Sequence, residues 1–215
     1  MSGPLRIGLS GERLEALRVD VVVVPCASDE RPLRALASRA DWRCCGAISQ
    51  LLRDGSFRGE VGEAALLGGG VGLVAPQLLL LGRGEEGALD TERMQAWGFE
   101  ALSRCVALSA QRVALALLPA AEHSLRDQSG ALVAAAVQAW RVAAEKLAAG
   151  LDVWLLVSES ERVAGVAALH ELAPRLPAGV ELQDARLMPV EGVLTPQRYS
   201  PPPAPTLQAP STPYR

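Results

Sequence analysis

Few of the side chains that hold metal ions or carry nucleophilic chemistry occur in this sequence. The chain has no asparagine, one lysine, Lys146, and two histidines, His123 and His170. Neither histidine has a nearby serine, cysteine or carboxylate pattern that indicates a catalytic triad. We interpret both histidines as surface or hydrogen-bonded, partly buried residues and Lys146 as a solvated side chain. The sequence therefore predicts no catalytic residue and no cofactor.

The cysteines show no metal-binding pattern either. They form no C-x-x-C pair, and the two histidines do not supply zinc-like spacing. Free cysteines are usually buried, so we expect reduced thiols in the core and no metal site. The four are Cys26, Cys44, Cys45 and Cys105.

Long apolar runs and blocks of like charge are also missing. No stretch approaches the roughly 18 apolar residues of a membrane span, and residues 1–11 lack the pattern of a secretion signal. The formal net charge is -3, without the clustered basic residues that bind nucleic acid. We expect a cytoplasmic protein with no membrane and no nucleic-acid partner.

Short apolar runs alternate with longer helical patterns along the chain. The run of consecutive valines that begins at Val21 is typical of a strand buried on both faces of a sheet. The other runs are too short for helices and also predict strands. The predicted strands are Leu5–Leu9, Val19–Pro25, Glu63–Leu67, Gln77–Leu81, Arg112–Leu118, Asp152–Val157 and Val180–Leu187.

Helical patterns lie between these strands. Pro32 to Arg53 predicts one helix or two, broken near Gly46, and Asp90 can cap the next helix. A third helix is predicted from Ser129 to Gly150. Ser158 and Glu161 form a capping box for a fourth, which stops at Pro174. This alternation favours an α/β fold: a mostly parallel mixed sheet flanked by helices on both faces.

The composition changes abruptly at Thr195. Seven of residues 195–215 are proline, so we divide the chain into a domain at 1–194 and a proline-rich, extended or disordered tail at 195–215. The tail contains Pro202, Pro203 and Pro205 in a P-x-x-P arrangement that can dock on an aromatic groove. Composition alone favours a solubilising spacer over docking.

The order and spacing of several segments resemble the N-terminal domain of leucyl (cytosol) aminopeptidases. These segments are hydrophobic strands and turn glycines spread over about Val19 to Val157. They are Val19–Pro25, Asp41-Trp42, Gly46, Leu51-Leu52, Phe57-Arg58-Gly59, Gly62-Glu63, and Leu78–Leu81 entering Gly82-Arg83-Gly84.

The resemblance implies a macro-domain-like, three-layer α/β/α fold. In that family the domain contributes to assembly of a hexamer and precedes a catalytic domain that binds two metal ions. The catalytic half carries an Asn-Thr-Asp-Ala-Glu-Gly-Arg signature and catalytic lysines. This chain has no asparagine, and its one lysine lies inside the predicted third helix. We therefore expect no aminopeptidase activity. We also expect that the residues up to Arg215 are too few to form the second domain.

Three segments that contain glycine are weaker signals for a bound ligand. Gly82 to Gly87 spells G-x-G-x-x-G after a strand, which would place Gly82, Arg83 and Gly84 beside a nucleotide phosphate, but acidic residues follow and a structural turn is favoured. Gly68 to Gly72 is better explained as a hairpin-like connection. Gly46 keeps only part of the macro-domain phosphate loop, since the preceding glycines and an asparagine are missing.

Three functions remain open from the sequence. The leading hypothesis is a non-catalytic assembly or regulatory protein that associates with itself or with a larger partner, such as a full-length aminopeptidase. The second is a binding module for ADP-ribose or another nucleotide. The third is a metal-dependent aminopeptidase with an unfamiliar site.

Overall fold

The computed structural model describes residues 3–70, 72–85, 87, 90–118 and 124–183. Their strands form one seven-stranded sheet of order β3-β4-β2-β5-β6-β1-β7. Every neighbouring pair is parallel except β3 and β4, which are antiparallel. The strands are β1 Leu5–Ser10, β2 Val21–Cys26, β3 Ala64–Gly68, β4 Gln77–Gly82, β5 Arg112–Ala116, β6 Leu151–Leu156 and β7 Val180–Leu182.

Helices cover both faces of the sheet, as the α/β prediction requires. Alternate side chains of a strand point to opposite faces, so the consecutive apolar residues of β2 and β4 fill two separate cores. One core lies under α3, α4 and α5, and the other lies under α1 and α2. The helices are α1 Ala35–Arg43, α2 Ala47–Asp54, α3 Thr91–Ala107, α4 Leu125–Val142 and α5 Arg162–Leu172.

Each of the seven predicted strands is present, with ends shifted by a few residues. The predicted break near Gly46 is confirmed, because Gly46 has φ 82° between α1 and α2. Asp90 caps α3 by accepting the Arg93 backbone N–H, and Ser158 with Glu161 forms the predicted capping box. Residues 184–187 of the last predicted strand lie outside the described residues.

The predicted helix from Ser129 to Gly150 is wrong at both ends. Helix α4 begins four residues earlier, because the side chain of Ser124 accepts the Asp127 backbone N–H and caps it. It ends at Val142, and Lys146 lies in the turns that follow. Gly150, with φ 96°, serves the entry into β6 instead of ending α4, since a Cβ there would lie 2.6 Å from the Pro4 carbonyl oxygen.

The carboxyl ends of the parallel strands meet at one edge of the sheet. Because these strands are parallel, the residues after β1, β5 and β6 come together at that edge. Helices α1 and α4 begin beside it. In open α/β sheets this is where ligands usually bind.

Candidate functional site

An open cleft of about 800 Å³ lies at the carboxyl ends of β1, β5 and β6. Gly11, Glu12 and Arg13 line it from the segment after β1, and Ser158 from the segment after β6. The first residue of α1, Ala35, also borders the cleft and has φ 44°. Of these residues only Ser158 was predicted from the sequence to have a role, as part of a helix capping box. The signal that finds them is the position of strand ends beside helix starts.

The charges of the cleft are mixed. Glu12, Glu159 and Glu161 bring three carboxylates to its wall, against the guanidinium groups of Arg13 and Arg39. Glu161 is held by the backbone N–H of Ser158 at 3.1 Å. An anionic ligand would therefore meet more negative than positive charge on these walls.

Glu15, just beyond the cleft, ties the segment after β1 to α1. Its carboxylate accepts hydrogen bonds from Arg39 Nε at 3.1 Å and from Arg43 Nε at 2.8 Å. Burial alone would raise the pKa of Glu15, but a backbone hydrogen bond and the two guanidinium groups outweigh it and lower the pKa. Arg39 and Arg43 are thus committed to a structural ion pair.

The backbone amides of Gly82, Arg83 and Gly84 are occupied by the protein itself. They donate to the carbonyl oxygens of Glu63 at 2.8 Å, Cys26 at 3.0 Å and Gly59 at 3.0 Å, respectively. A Cβ on Gly82 would collide with the carbonyl oxygen of Glu60. This geometry agrees with the structural turn, and a phosphate here would need donors other than these three amides.

The side chain of Arg83 is buried beside Glu30. The guanidinium Nη2 lies 3.9 Å from Glu30 Oε2, and the exposed fractions of the two side chains are 0% and 4%. The other oxygen of Glu30 accepts the Arg34 backbone N–H at 2.8 Å. The pair joins the segment after β2 to the end of β4.

Gly46 lies at the corner between α1 and α2, separate from the Gly82 turn. Its N–H donates to the Asp41 carbonyl at 2.8 Å. The Asp41 carboxylate accepts the Ser49 backbone N–H at 2.9 Å in the first turn of α2. An internal carboxylate therefore occupies the helix N-terminus that would attract a phosphate group.

The same corner exposes a large aromatic side chain. Trp42 is 74% exposed, and the guanidinium carbon of Arg43 lies 4.8 Å from its ring centre. Cys45 lies beside them and is exposed. We call the surface formed by Trp42, Arg43, Cys45 and Gly46 the Trp42 corner. In the sequence, Trp42 is notable only as part of the family resemblance, because exposure of a tryptophan has no sequence signal.

All four cysteines are free, but they are not all buried. Burial raises the pKa of Cys26 and that of Cys105 to about 12. Cys44 is half-buried, which raises its pKa, and Cys45 is exposed at φ 54°. The expectation of core thiols is therefore correct for Cys26 and Cys105 and wrong for Cys45, which the helix corner turns outward.

Strand β3 ends at Gly68 and the antiparallel β4 begins at Gln77, and between them the Gly69 N–H donates to the Pro76 carbonyl at 2.6 Å. The hairpin-like connection is thus confirmed. Within the described ranges, no three His, Cys, Asp or Glu side chains are grouped closely enough to hold a metal ion. In the same part of the chain no helix has the length and apolar character needed to cross a membrane. His123 and the prolines Pro202, Pro203 and Pro205 lie outside the described residues.

Residues 21–146 match the model of the cytosol aminopeptidase family, N-terminal domain. The chain is 32% identical over 112 residues to a probable cytosol aminopeptidase of Nitrosococcus oceani. That alignment covers 51% of this chain and 22% of the relative, so the chain spans under a quarter of the relative's length.

Solved structures of two kinds share the fold. A mutant of tomato leucine aminopeptidase superposes with TM-score 0.59 at 16% identity, over 80% of this chain and 37% of the other. A mutant of the Oceanobacillus iheyensis macrodomain gives 0.58 at 14% identity, over 79% and 93% of the two chains. The Trypanosoma brucei macrodomain in complex with ADP gives 0.60 at 14%, over 76% and 69%. The macro-domain-like, three-layer fold expected from the sequence is confirmed.

Proposed function

Because the chain belongs to the cytosol aminopeptidase family through its N-terminal domain, we propose that this domain acts in protein–protein association, with itself or with a larger partner such as a full-length aminopeptidase. The observation that carries this proposal is the Trp42 corner, where an aromatic ring stands 74% exposed. The role is one of assembly or regulation in the cytoplasm.

The residue types of the Trp42 corner suit binding. Tryptophan and arginine are enriched among the few interface residues that carry most of the binding free energy. The Arg43 guanidinium lies over the Trp42 ring, so the corner presents an aromatic ring and a cation side by side. A partner that covers this face would bury the ring.

The corner is also held rigidly. Glu15 fixes Arg43 through its Nη2 at 2.7 Å, and Asp41 joins α1 to the first turn of α2. A surface that is ordered before binding loses less conformational entropy when the partner arrives. The geometry thus favours an association surface over a mobile loop.

The experiment that tests this role compares Trp42→Ala with Val163→Ala. Val163 is also strongly exposed, at 82%, but lies on α5. We expect Trp42→Ala to weaken self-association or binding to a family aminopeptidase by more than tenfold, about 1.4 kcal/mol or more, and Val163→Ala to leave it unchanged. Equal association of both variants and the wild type would refute the proposal.

We further propose that residues 1–215 have no peptidase activity of their own. Purified protein with added manganese or zinc should release no product from a chromogenic leucine amide. Turnover that disappears with a chelator would support the alternative of a metal-dependent aminopeptidase with an unfamiliar site.

The second candidate is a binding module for ADP-ribose or another nucleotide, and the size of the cleft, not the charge of its walls, supports it. Its volume of about 800 Å³ is large enough for such a ligand. The helix starts of α1 and α4 add positive partial charge to its rim. Similar solved structures include macrodomains in complex with ADP. Calorimetry with ADP-ribose decides: heat that saturates and is lost in Ala35→Glu supports the candidate, and no heat at high micromolar ligand removes it.

A further inference from the structure

The outer edge of β3 is open in the described part of the chain. β3 is the first strand of the sheet and pairs only with β4. Leu66, at its centre, is 48% exposed. The strand reads Ala-Ala-Leu-Leu-Gly and has no lysine, proline or other residue that usually protects a sheet edge.

The hydrogen bonds to β4 show which backbone groups face outward. The Gly82 N–H donates to the Glu63 carbonyl, and the Gly69 N–H donates to the Pro76 carbonyl. Hydrogen-bonded positions alternate along an antiparallel pair, so Ala65 and Leu67 also point their N–H and C=O groups toward β4. The remaining residues, Ala64, Leu66 and Gly68, therefore point theirs away from the sheet.

We propose that this edge pairs with the same edge of a second copy of the chain, antiparallel and centred on Leu66, to give one continuous sheet through two molecules. The pairing names the partner of the association proposed above, on which it rests. A two-fold axis at Leu66 sets Leu66 against its own copy and Ala64 against Gly68. Each outward N–H then meets an outward carbonyl.

The charges beside β3 are compatible with a second copy and favour the antiparallel direction. Arg58, Glu60 and Glu63 precede the strand, whereas Gly68, Gly69 and Gly70 end it without side chains. In the antiparallel pair, Glu63 of one copy faces Gly69 of the other, so no like charges meet. Parallel pairing would set Glu63 against Glu63.

The edge is continuous with the Trp42 corner. A Cβ added to Gly70 would collide with the carbonyl oxygen of Arg43, so the segment after β3 packs directly against the end of α1. A second copy paired along β3 would therefore contact this molecule close to the Trp42 corner.

Two matched pairs of variants test the pairing by sedimentation velocity on the full chain. Leu66→Lys sets like charges opposite each other at the two-fold axis, and Val163→Lys makes the same change on exposed α5. Gly68→Pro deletes one outward N–H, whereas Gly68→Ala keeps it and places its Cβ in open space. We expect Leu66→Lys and Gly68→Pro to raise the dimer dissociation constant at least about tenfold, and the two controls to match the wild type.

Amide hydrogen exchange separates loss of pairing from loss of folding. In concentrated wild-type protein the amides of Ala64 and Gly68 should exchange slowly, and in Leu66→Lys they should exchange fast. The amides of Ala65 and Leu67, bonded to β4, should stay slow in both proteins. A wild-type chain that stays monomeric overturns the β3 pairing. So does a dimer whose dissociation constant is unchanged by Leu66→Lys and whose Ala64 and Gly68 amides exchange as fast as other exposed amides. In the second case association through the Trp42 corner still stands.

Discussion

The carboxylate of Asp41, near the end of α1, accepts the backbone N–H of Ser49 at 2.9 Å and its hydroxyl at 2.5 Å. The first turn of α2 is therefore capped from the preceding helix, across the turn that contains Gly46. This contact places Trp42 on a rigid corner.

Asp41→Ala should lower the free energy of unfolding by about 1 kcal/mol, because the amide of Ser49 loses its acceptor. Urea unfolding followed by circular dichroism measures the change. Glu145→Ala, at an exposed position, is the control and should stay within about 0.5 kcal/mol of the wild type. Equal stability of the two variants would show that the contact contributes nothing.

Glu15 should make stability depend on pH. Its pKa is below the ordinary value of 4.5 in the folded protein, so its contribution is fully present above that value and is lost as the pH falls through the folded pKa. Thermal unfolding between roughly pH 6 and 3 should show a smaller decline in Tm for Glu15→Gln than for the wild type. Parallel declines would contradict this assignment.

The buried pair of Arg83 and Glu30 should show strong coupling. Arg83→Met leaves the carboxylate of Glu30, which is 5% exposed, without its cation and should cost about 3 kcal/mol or more. Adding Glu30→Gln should recover part of that loss, because no buried charge then remains. Additive losses in the double-mutant cycle would argue against the ion pair.

Two helical glycines should respond oppositely to alanine. A Cβ on Gly98 of α3 would lie 2.8 Å from Leu132 Cδ2 and 3.0 Å from Ala135 Cβ, so Gly98→Ala should destabilise by about 1 kcal/mol or more. Gly130 of α4 has open space around it, and Gly130→Ala should stabilise by roughly 0.5 kcal/mol. Denaturant midpoints that both lie above, or both lie below, that of the wild type would contradict this packing.

The architecture could be predicted because its signals are local. The valines of β2 and the leucines of β4 form short apolar runs, and Asp90 and Ser158 mark helix starts. The ends of α4 could not be read in this way. Ser124 precedes the apolar face of α4, and Gly150 carries a positive φ for contact with Pro4, which is distant in sequence.

The candidate sites depend on contacts between distant residues, which a sequence does not display. Gly82 to Gly84 matched a phosphate-binding pattern, yet Glu63, Cys26 and Gly59 occupy their amides. The exposure of Trp42 and the outward amides of β3 follow from strand order and helix packing. Only the strand ends around the cleft were accessible to a rule based on topology.

Sedimentation velocity of the wild-type chain, alone and mixed with a full-length family aminopeptidase, tests the central claim most directly. Association predicts either that the wild-type chain alone forms a species heavier than the single 22.6 kDa chain, or that adding the chain shifts the aminopeptidase boundary. Neither change should occur with Trp42→Ala. A wild-type chain that sediments at 22.6 kDa at every concentration, and leaves the aminopeptidase boundary unchanged, would contradict the account.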